Sequence, residues 1–289
     1  MQPVVTVGLD GSPESLAAAR WAADEAERRR LTLRLLHAWP LLAPEPTRVP
    51  AEVDQNYWAK RLVHSVRAEL RSRHPDLSVV ESIVADDAQN ALLDAASESE
   101  MLVLGSRGLE SVQSYFLGDV SMPVVARAGR PVVLVRAGTP DEGSATSVPG
   151  RVAVALKLHG SCDELLDFAF HAAAVRGGRL LAVHGRSVPL YARVPWGVDH
   201  DVAEEIRQDV QARLSEALRP WREKYPRVEV ADGIGLESPA RAVVQAAEGA
   251  ALLVVGRREH RHGLAPHAGP VAQAAIHHGQ CPVAVVPHG

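Results

Sequence analysis

The chain has 289 residues, of which 46% are hydrophobic and 23% are charged, a composition typical of a globular protein long enough for two domains. Its net charge is −4, divided as −5 over residues 1–150 and +1 over residues 151–289, so neither half predicts the basic surface of a nucleic-acid-binding domain. Because no apolar run approaches about 18 residues and the first strand-like run begins at Val4, we expect a cytoplasmic protein without a membrane span or signal peptide.

The first half alternates strand and helix patterns. The apolar run from Val4 to Leu9 predicts a buried parallel strand, and Ser12 followed by Pro13 predicts the capped start of a helix. Further strands are predicted over residues 31–39, 77–84, 101–104 and 131–135, and further helices over residues 52–73, 88–99 and about 117–128. Strands that alternate with helices predict a parallel sheet covered on both faces.

The second half repeats this order. Residues 138–150 are rich in Gly, Ser, Thr and Pro and predict a linker between a first domain of residues 1–137 and a second of residues 151–289. In the second domain, Ser161 to Glu164 predicts a capping box at the first helix. The repeat predicts two doubly wound α/β domains with Rossmann-like, five-stranded parallel sheets. Their apolar fifth strands would otherwise be exposed edges, so we expect the domains to pack as a pseudo-dimer.

Glycines follow the fourth predicted strand of the first half. Gly105 and Gly108 come at the end of this strand, and Gly118 precedes a predicted helix. Glycines let a backbone approach a phosphate closely, and the helix dipole favours an anion at such a point. Asp10, at the end of the first strand, should flank the same crevice. From the residues alone, two interpretations stay open: a nucleotide site, or glycines that serve only tight turns.

The pattern Gly-x2-Gly-x9-Gly over residues 105–118, with Val-Gly-Leu-Asp-Gly-Ser-Pro-Glu-Ser over residues 7–15, resembles the universal stress protein family in the tandem-domain form common in actinobacteria. The resemblance implies the strand order 3-2-1-4-5 in each domain and a regulatory rather than catalytic role. It also implies an adenine nucleotide, with Asp10 near the ribose, backbone around Ala38 near the base and the glycines around the phosphates. The predicted site comprises Gly8, Asp10, Ala38, Gly105, Arg107, Gly108, Gly118, Asp119, Val120 and Ser121.

Asp119 departs from the family pattern, because it stands where nucleotide-binding members have a hydroxyl residue. Two like charges about 4 Å apart repel by about 1 kcal/mol in water and about 4 kcal/mol at an effective dielectric of 20. A charge-assisted hydrogen bond from a backbone N–H returns about 1.5 to 3 kcal/mol. We therefore expect weak triphosphate binding unless Mg²⁺ lies between the carboxylate and the phosphate. The alternative interpretation is that Asp119 only caps the last helix.

The second half departs further from the pattern. Lys157 stands near the position of the predicted ribose-binding residue, Glu259 replaces the second glycine, and Pro270 offers neither a hydroxyl nor an N–H. We expect no nucleotide in this half. An ion pair between Lys157 and Glu259 that fills the crevice is a further hypothesis.

The histidines and cysteines are given structural interpretations. The histidines at 260, 262, 267, 277 and 278 lack the His-Glu-x-x-His or cysteine spacing of a zinc site, so we interpret them as solvated surface residues. Cys162 follows a predicted helix start, where the dipole can lower the pKa of a thiol. We nevertheless interpret Cys162 and Cys281 as reduced, inert thiols.

The leading hypothesis is therefore a non-catalytic stress-response regulator that binds ATP or another adenine nucleotide in its first domain. A second hypothesis is an interaction scaffold with a vestigial site, its protein partner unidentified and a homodimer left open. A third, a slow ATP hydrolase, is disfavoured because no lysine-containing P-loop or clear general base accompanies the glycines.

Overall fold

The computed structural model describes residues 3–39, 55–107, 120–138, 150–187, 193–194, 197–198, 200–258 and 268–289. The described residues form two compact units, one before residue 139 and one after residue 149. Each unit combines strands and helices as the alternating sequence pattern predicts. Among the described helices, none has both the length and the apolar character needed to cross a membrane.

The first unit contains five strands: β1 (Val4–Gly8), β2 (Thr32–Ala38), β3 (Val79–Val84), β4 (Met101–Ser106) and β5 (Val132–Arg136). Its described helices are α1 (Pro13–Arg29), α2 (Gln55–Arg73), α3 (Ala88–Ser97) and α4 (Ser121–Arg127). Helix α4 has Val120 as its N-cap, whereas residues 117–119 of the predicted helix lie outside the described residues.

Four parallel pairings form the sheet of the first unit. Strand β1 pairs with both β2 and β4, while β2 also pairs with β3 and β4 also pairs with β5, so the order is β3-β2-β1-β4-β5. Residues 4–7 and 101–104 are buried, as expected for central strands of a parallel sheet with helices on both faces. The carboxyl ends of all five strands lie along one edge, and this edge carries the predicted site.

The start of α1 is fixed by Ser12 and Pro13, as the sequence predicts. The Ser12 side chain accepts a hydrogen bond from the Ser15 N–H at 3.1 Å, which satisfies one of the backbone donors that a helix leaves unpaired at its start. Pro13 occupies the first turn, where its missing N–H costs nothing. Because α1 follows β1 after a short turn, it begins at the carboxyl edge of the sheet.

The second unit has the strands β6 (Arg151–Ala155), β7 (Arg179–Gly185), β8 (Arg193–Val194), β9 (Gly197–Val198), β10 (Glu229–Gly235), β11 (Leu252–Arg258) and β12 (Val283–His288). Its described helices are α5 (Asp163–Val175), α6 (His200–Lys224), α7 (Pro239–Ala246) and α8 (Pro270–His278). Parallel pairings give the order β10-β7-β6-β11-β12, the same arrangement as in the first unit. The short antiparallel pair of β8 and β9 is not predicted by the sequence pattern.

The predicted capping box of the second half is wrong. Helix α5 begins at Asp163, and its N-cap is Cys162, whose side chain makes no capping hydrogen bond. The Ser161 hydroxyl instead donates to the Asp163 carboxylate at 2.9 Å. Gly160 adopts a left-handed conformation with φ of 86°, so the loop turns just before the helix and Ser161 stays outside the capping position.

Gly150, directly before β6, is required by its surroundings. Its φ of 82° lies in the left-handed region, which residues other than glycine rarely adopt. A Cβ at this position would also lie 1.9 Å from the backbone oxygen of Arg176, at the end of α5. A side chain at position 150 therefore collides with backbone that cannot easily move.

We predict that Gly150→Ala lowers the free energy of unfolding by about 3 kcal/mol or more, because backbone strain and overpacking add. The matched control is Gly138→Ala, since Gly138 has a similar φ of 77° but, among the described residues, no heavy atom within 4 Å of the added Cβ. That variant should lose only about 1 kcal/mol. Urea unfolding followed by circular dichroism measures both, and equal losses would contradict the argument.

Candidate functional site

The carboxyl edge of the first sheet contains a point where the strand order reverses. Strand β1 leads to β2 on one side, whereas β4 lies on its other side. In open α/β sheets, ligands bind outside the strand ends at such a point. Asp10 lies two residues after the end of β1, and Arg107 directly follows β4. The structure therefore brings together two charged residues from distant parts of the sequence.

The carboxylate of Asp10 is held by the turn that begins α1. One of its oxygens accepts hydrogen bonds from the Ser12 N–H at 2.9 Å and from the Ser12 hydroxyl at 2.6 Å. Partial burial raises the pKa of Asp10, but the hydrogen bonds from Ser12 and Ser15 and the positive charge of Arg107 together outweigh it and leave the pKa below its ordinary value. Asp10 is consequently anionic at neutral pH.

Gly105 lets the first turn of α1 pack against the end of β4. A Cβ added at residue 105 would lie 2.6 Å from the carbonyl carbon of Glu14 and 2.7 Å from the backbone nitrogen of Ser15. Gly8 is restricted by side chains instead, because a Cβ there would lie 2.8 Å from a methyl group of Leu104. Both glycines therefore have a packing role, and a role in cradling phosphate stays a prediction.

Ala38 ends β2 on the other side of β1, half-buried and opposite Val84 of β3. The residue before it, His37, is not among the predicted site residues. Its Nδ1 lies 2.7 Å from the backbone oxygen of Leu9, so the ring donates to this carbonyl and holds the chain directly before Asp10.

The same histidine contact occurs in the second unit, where His184 Nδ1 lies 2.8 Å from the backbone oxygen of Leu156. The signal that could have identified the histidine was therefore its recurrence in both halves. Because the contact occurs in both units while the neighbouring charged residues differ, we interpret it as a support for the loop.

The far side of the predicted site is only partly described. Val120 is the N-cap of α4 and makes no side-chain capping bond, and Ser121 is the first helical residue, half-buried. Gly108, Gly118 and Asp119 lie outside the described residues. The spacing of the glycines, and the position of Asp119 near a phosphate, therefore stay predictions.

The corresponding edge of the second unit has a different character. Lys157 follows Leu156 as Asp10 follows Leu9, so a cation stands where the first unit has a carboxylate. Pro270 begins α8 after Gly269 and contributes no N–H to the helix terminus. Glu259 lies outside the described residues, so its predicted pairing with Lys157 is untested.

A further difference at this edge is His288, which the sequence did not indicate. A Cβ added at Gly256, the counterpart of Gly105, would lie 2.6 Å from His288 Nε2. The imidazole ring thus occupies space beside the end of β11 that the start of α1 occupies in the first unit. A histidine side chain therefore lies directly beside the end of β11.

The predicted surface histidines are described only in part, and their interpretation as solvated residues stays a prediction. His277 and His278 end α8, whereas residues 260–267 are outside the described part of the chain. Within the part that is described, no group of three or more His, Cys, Asp or Glu side chains is arranged to hold a metal ion.

Burial, followed by the charges of Asp163 and Glu164, raises the pKa of the Cys162 thiol, so the neighbouring carboxylates oppose the effect of the helix dipole. Neither Cys162 nor Cys281, both within the described residues, forms a disulfide.

Comparison with known proteins shows which family this chain resembles over most of its length. A model of the universal stress protein family matches residues 1–136 and 150–287. Universal stress protein Rv2005c of Mycobacterium tuberculosis is 31% identical over 290 residues, covering 97% of this chain and 96% of that protein. Universal stress protein Rv2623 of the same organism is 31% identical, covering 88% and 86% respectively. A solved universal stress protein from Archaeoglobus fulgidus covers 99% of this chain and 98% of its own, with a TM-score of 0.66 and 18% identity, and so shares the fold.

The hydrogen bonds from Ser12 to the Asp10 carboxylate predict that the stability lost in a Ser12 variant depends on pH. Because the folded state lowers the pKa of Asp10, this contribution is present at neutral pH and is lost as the pH falls through that pKa. The loss of a helix N-cap alone costs about 1 kcal/mol of unfolding free energy. At pH 7, Ser12→Ala should lower the unfolding free energy by more than this, and the excess should disappear in acid.

The matched control is Ser238→Ala, which removes the N-cap of α7, also followed by proline. Residue 236, which precedes this cap by two positions as Asp10 precedes Ser12, is a leucine, so this loss should not change between pH 7 and acid. Chemical denaturation at several pH values compares the two variants, and parallel pH profiles would refute a stabilising role of the bond from Ser12 to Asp10.

Proposed function

The chain belongs to the universal stress protein family, and we propose that it is a non-catalytic stress-response regulator that binds ATP or another adenine nucleotide in its first domain. In this proposal the first domain covers residues 1–137, a linker covers residues 138–150, and the second domain covers residues 151–289. The nucleotide binds outside the carboxyl ends of β1, β2 and β4.

The observation that carries the proposal is that Asp10 and Arg107 lie close enough to interact electrostatically, at the point where the strand order reverses. A carboxylate that is ionised and already oriented by Ser12 is suited to accept hydrogen bonds from the hydroxyl groups of a ribose. Arg107, on the β4 side of Asp10, is suited to an anion, since a guanidinium donates in a fork that matches phosphate. The two charges thus give the crevice a sugar side and a phosphate side.

The phosphate side is completed, in this proposal, by Gly105, Gly108 and Gly118 with the start of α4 at Val120 and Ser121. The Asp119 carboxylate beside this start opposes a phosphate tail by electrostatic repulsion. A Mg²⁺ ion between the carboxylate and the phosphates relieves this repulsion. We therefore propose a site that holds the nucleoside firmly and the triphosphate weakly without a divalent ion.

The second domain is proposed to bind no nucleotide. It has Lys157 in place of the carboxylate, and a positive charge cannot accept hydrogen bonds from ribose. His288 lies against Gly256, and Pro270 lacks the N–H that a phosphate would need. These differences give one site per chain.

The interaction scaffold is the competing function, and it is favoured if the carboxylate of Asp119 abolishes binding altogether. Calorimetric titration of the intact chain with ATP and with adenosine separates the two functions. Phosphate release from ATP above the background of an Asp10 variant would instead support a slow hydrolase.

We predict that Asp10→Ala weakens ATP binding by about tenfold to a hundredfold, because hydrogen bonds to a charged group contribute roughly 1.5 to 3 kcal/mol. Lys157→Ala, at the matching position of the second domain, is the control and should leave both affinity and stoichiometry unchanged. Calorimetry with the intact chain measures each variant. A loss of binding in Lys157→Ala, with none in Asp10→Ala, would place the nucleotide in the wrong domain for this proposal.

We also predict that Asp119→Ser tightens ATP binding by about tenfold to a hundredfold, a gain on the order of 1 to 3 kcal/mol, because the change removes electrostatic repulsion and adds a hydroxyl donor. Adenosine, which has no phosphate, should bind both proteins equally. The wild type should depend more on Mg²⁺ than the variant does. Titrations with and without Mg²⁺ make this comparison, and unchanged ATP affinity in all conditions would mean that no phosphate approaches residue 119.

A further inference from the structure

One side of α2 faces α1, and the contacts along it fix how the two helices align. Glu69 accepts a hydrogen bond from Arg20 of α1 at 2.7 Å. Two turns earlier on α2, the methyl groups of Leu62 lie 3.7 Å from the position that a Cβ would take at Gly11, in the turn before α1. Leu62 is therefore level with the start of α1, at the carboxyl edge of the sheet.

Trp58 lies one turn before Leu62 on the same side of α2, since residues four apart share a face of a helix. Because helical side chains lean toward the helix N-terminus, we expect the indole to project from Leu62 toward the region outside the strand ends. It is 57% exposed, whereas Ala59 and Val63 of the adjacent face are buried in the core. Packing of the core therefore does not account for a tryptophan at this position.

The neighbours of Trp58 orient its ring. The Arg61 guanidinium carbon lies 5.6 Å from the centre of the indole, within the range of a cation–π contact. The Tyr57 ring meets it edge-on, with the ring centres 5.7 Å apart and an angle of 78° between the planes. An oriented aromatic surface of this kind is suited to stacking on a nucleobase.

The second unit has no aromatic residue at the matching position. Ile206 and Val210 are buried on α6 as Ala59 and Val63 are buried on α2, and this correspondence matches Trp58 with the exposed Glu205. The tryptophan is thus specific to the domain that contains Asp10.

We propose that the indole of Trp58 forms a stacking wall for the base of the nucleotide bound in the first domain. The inference rests on the proposed function and adds a side chain that contacts the base. Trp58 lies on the β2 side of Asp10, whereas Arg107 follows β4 on the other side. The base accordingly points toward α2 and the phosphates toward α4, and the wall favours purines because they present the larger stacking surface.

The test compares Trp58→Ala and Trp58→Phe with Glu205→Ala, the matched control in the second domain. Adenosine is the main probe because it separates the base and sugar from the phosphates, and cytidine tests the preference for a purine. We expect Trp58→Ala to bind adenosine about tenfold more weakly, Trp58→Phe to stay within about threefold of wild type, and Glu205→Ala to be unchanged. The intrinsic fluorescence of wild type should be quenched by adenosine, and this change should be lost in Trp58→Phe. Equal melting temperatures would confirm that the variants are folded.

Three results separate the failure of this inference from the failure of the proposed function. If wild type binds adenosine and Trp58→Ala binds it equally well, the stacking wall is refuted and the nucleotide proposal stands. If Trp58→Phe loses as much affinity as Trp58→Ala, stacking by an aromatic ring is also refuted. If wild type binds neither adenosine nor ATP, the proposed function fails, and the wall fails with it.

Discussion

The pairing of β1 with parallel strands on both sides is the constraint from which the character of the first domain follows. A strand paired on both edges and covered on both faces buries its side chains, as residues 4 to 7 of β1 show. Its one buried polar side chain, Thr6, is hydrogen-bonded to the Ser99 hydroxyl at 2.7 Å. Polar groups can reach solvent only where the strand ends. Asp10 consequently lies at the same edge as Arg107 and the start of α1. Its ionisation there depends on hydrogen bonds from Ser12 and Ser15 and on the charge of Arg107.

The duplication of the chain separates what the fold needs from what a ligand would need. Both units retain a histidine that donates to the backbone oxygen directly before the variable position, His37 in one and His184 in the other. The next residue then differs in charge, Asp10 against Lys157. Because the two units have the same strand order and the same supporting contact, this charge reversal is not a consequence of different folds. It is a difference in the chemistry that each edge presents.

The elements that were predicted correctly depend on neighbours in sequence. Apolar runs of four to seven residues determine the buried strands, and the Ser12 cap depends on residues three positions apart. The capping box predicted at Ser161 shows the limit of this reasoning. After the left-handed Gly160, the N-cap of α5 is Cys162, one residue later than predicted.

Contacts between residues distant in sequence were beyond prediction. Nothing near Gly256 in the sequence indicates that His288 lies against it, and nothing near Gly105 indicates that α1 packs there. The candidate site was predicted through Asp10, but Ser12, Ser15 and Arg107 acquire their effect on its pKa only in the folded chain.

The proposed confinement of the nucleotide site to one of two similar domains also has a thermodynamic consequence. A ligand that binds only the folded state stabilises the domain that holds it by RT ln(1 + [L]/Kd), which is about 2.7 kcal/mol at a hundredfold excess over Kd. In the proposed function the second domain, with Lys157 and His288 at the matching edge, gains nothing directly from the same ligand. The stability of the first domain would thus follow nucleotide concentration while that of the second stays constant. Regulation by a ligand requires different affinities for two states of the protein. In the proposed function these are the folded and the unfolded state of the first domain, so that binding alone changes their ratio without a catalytic step.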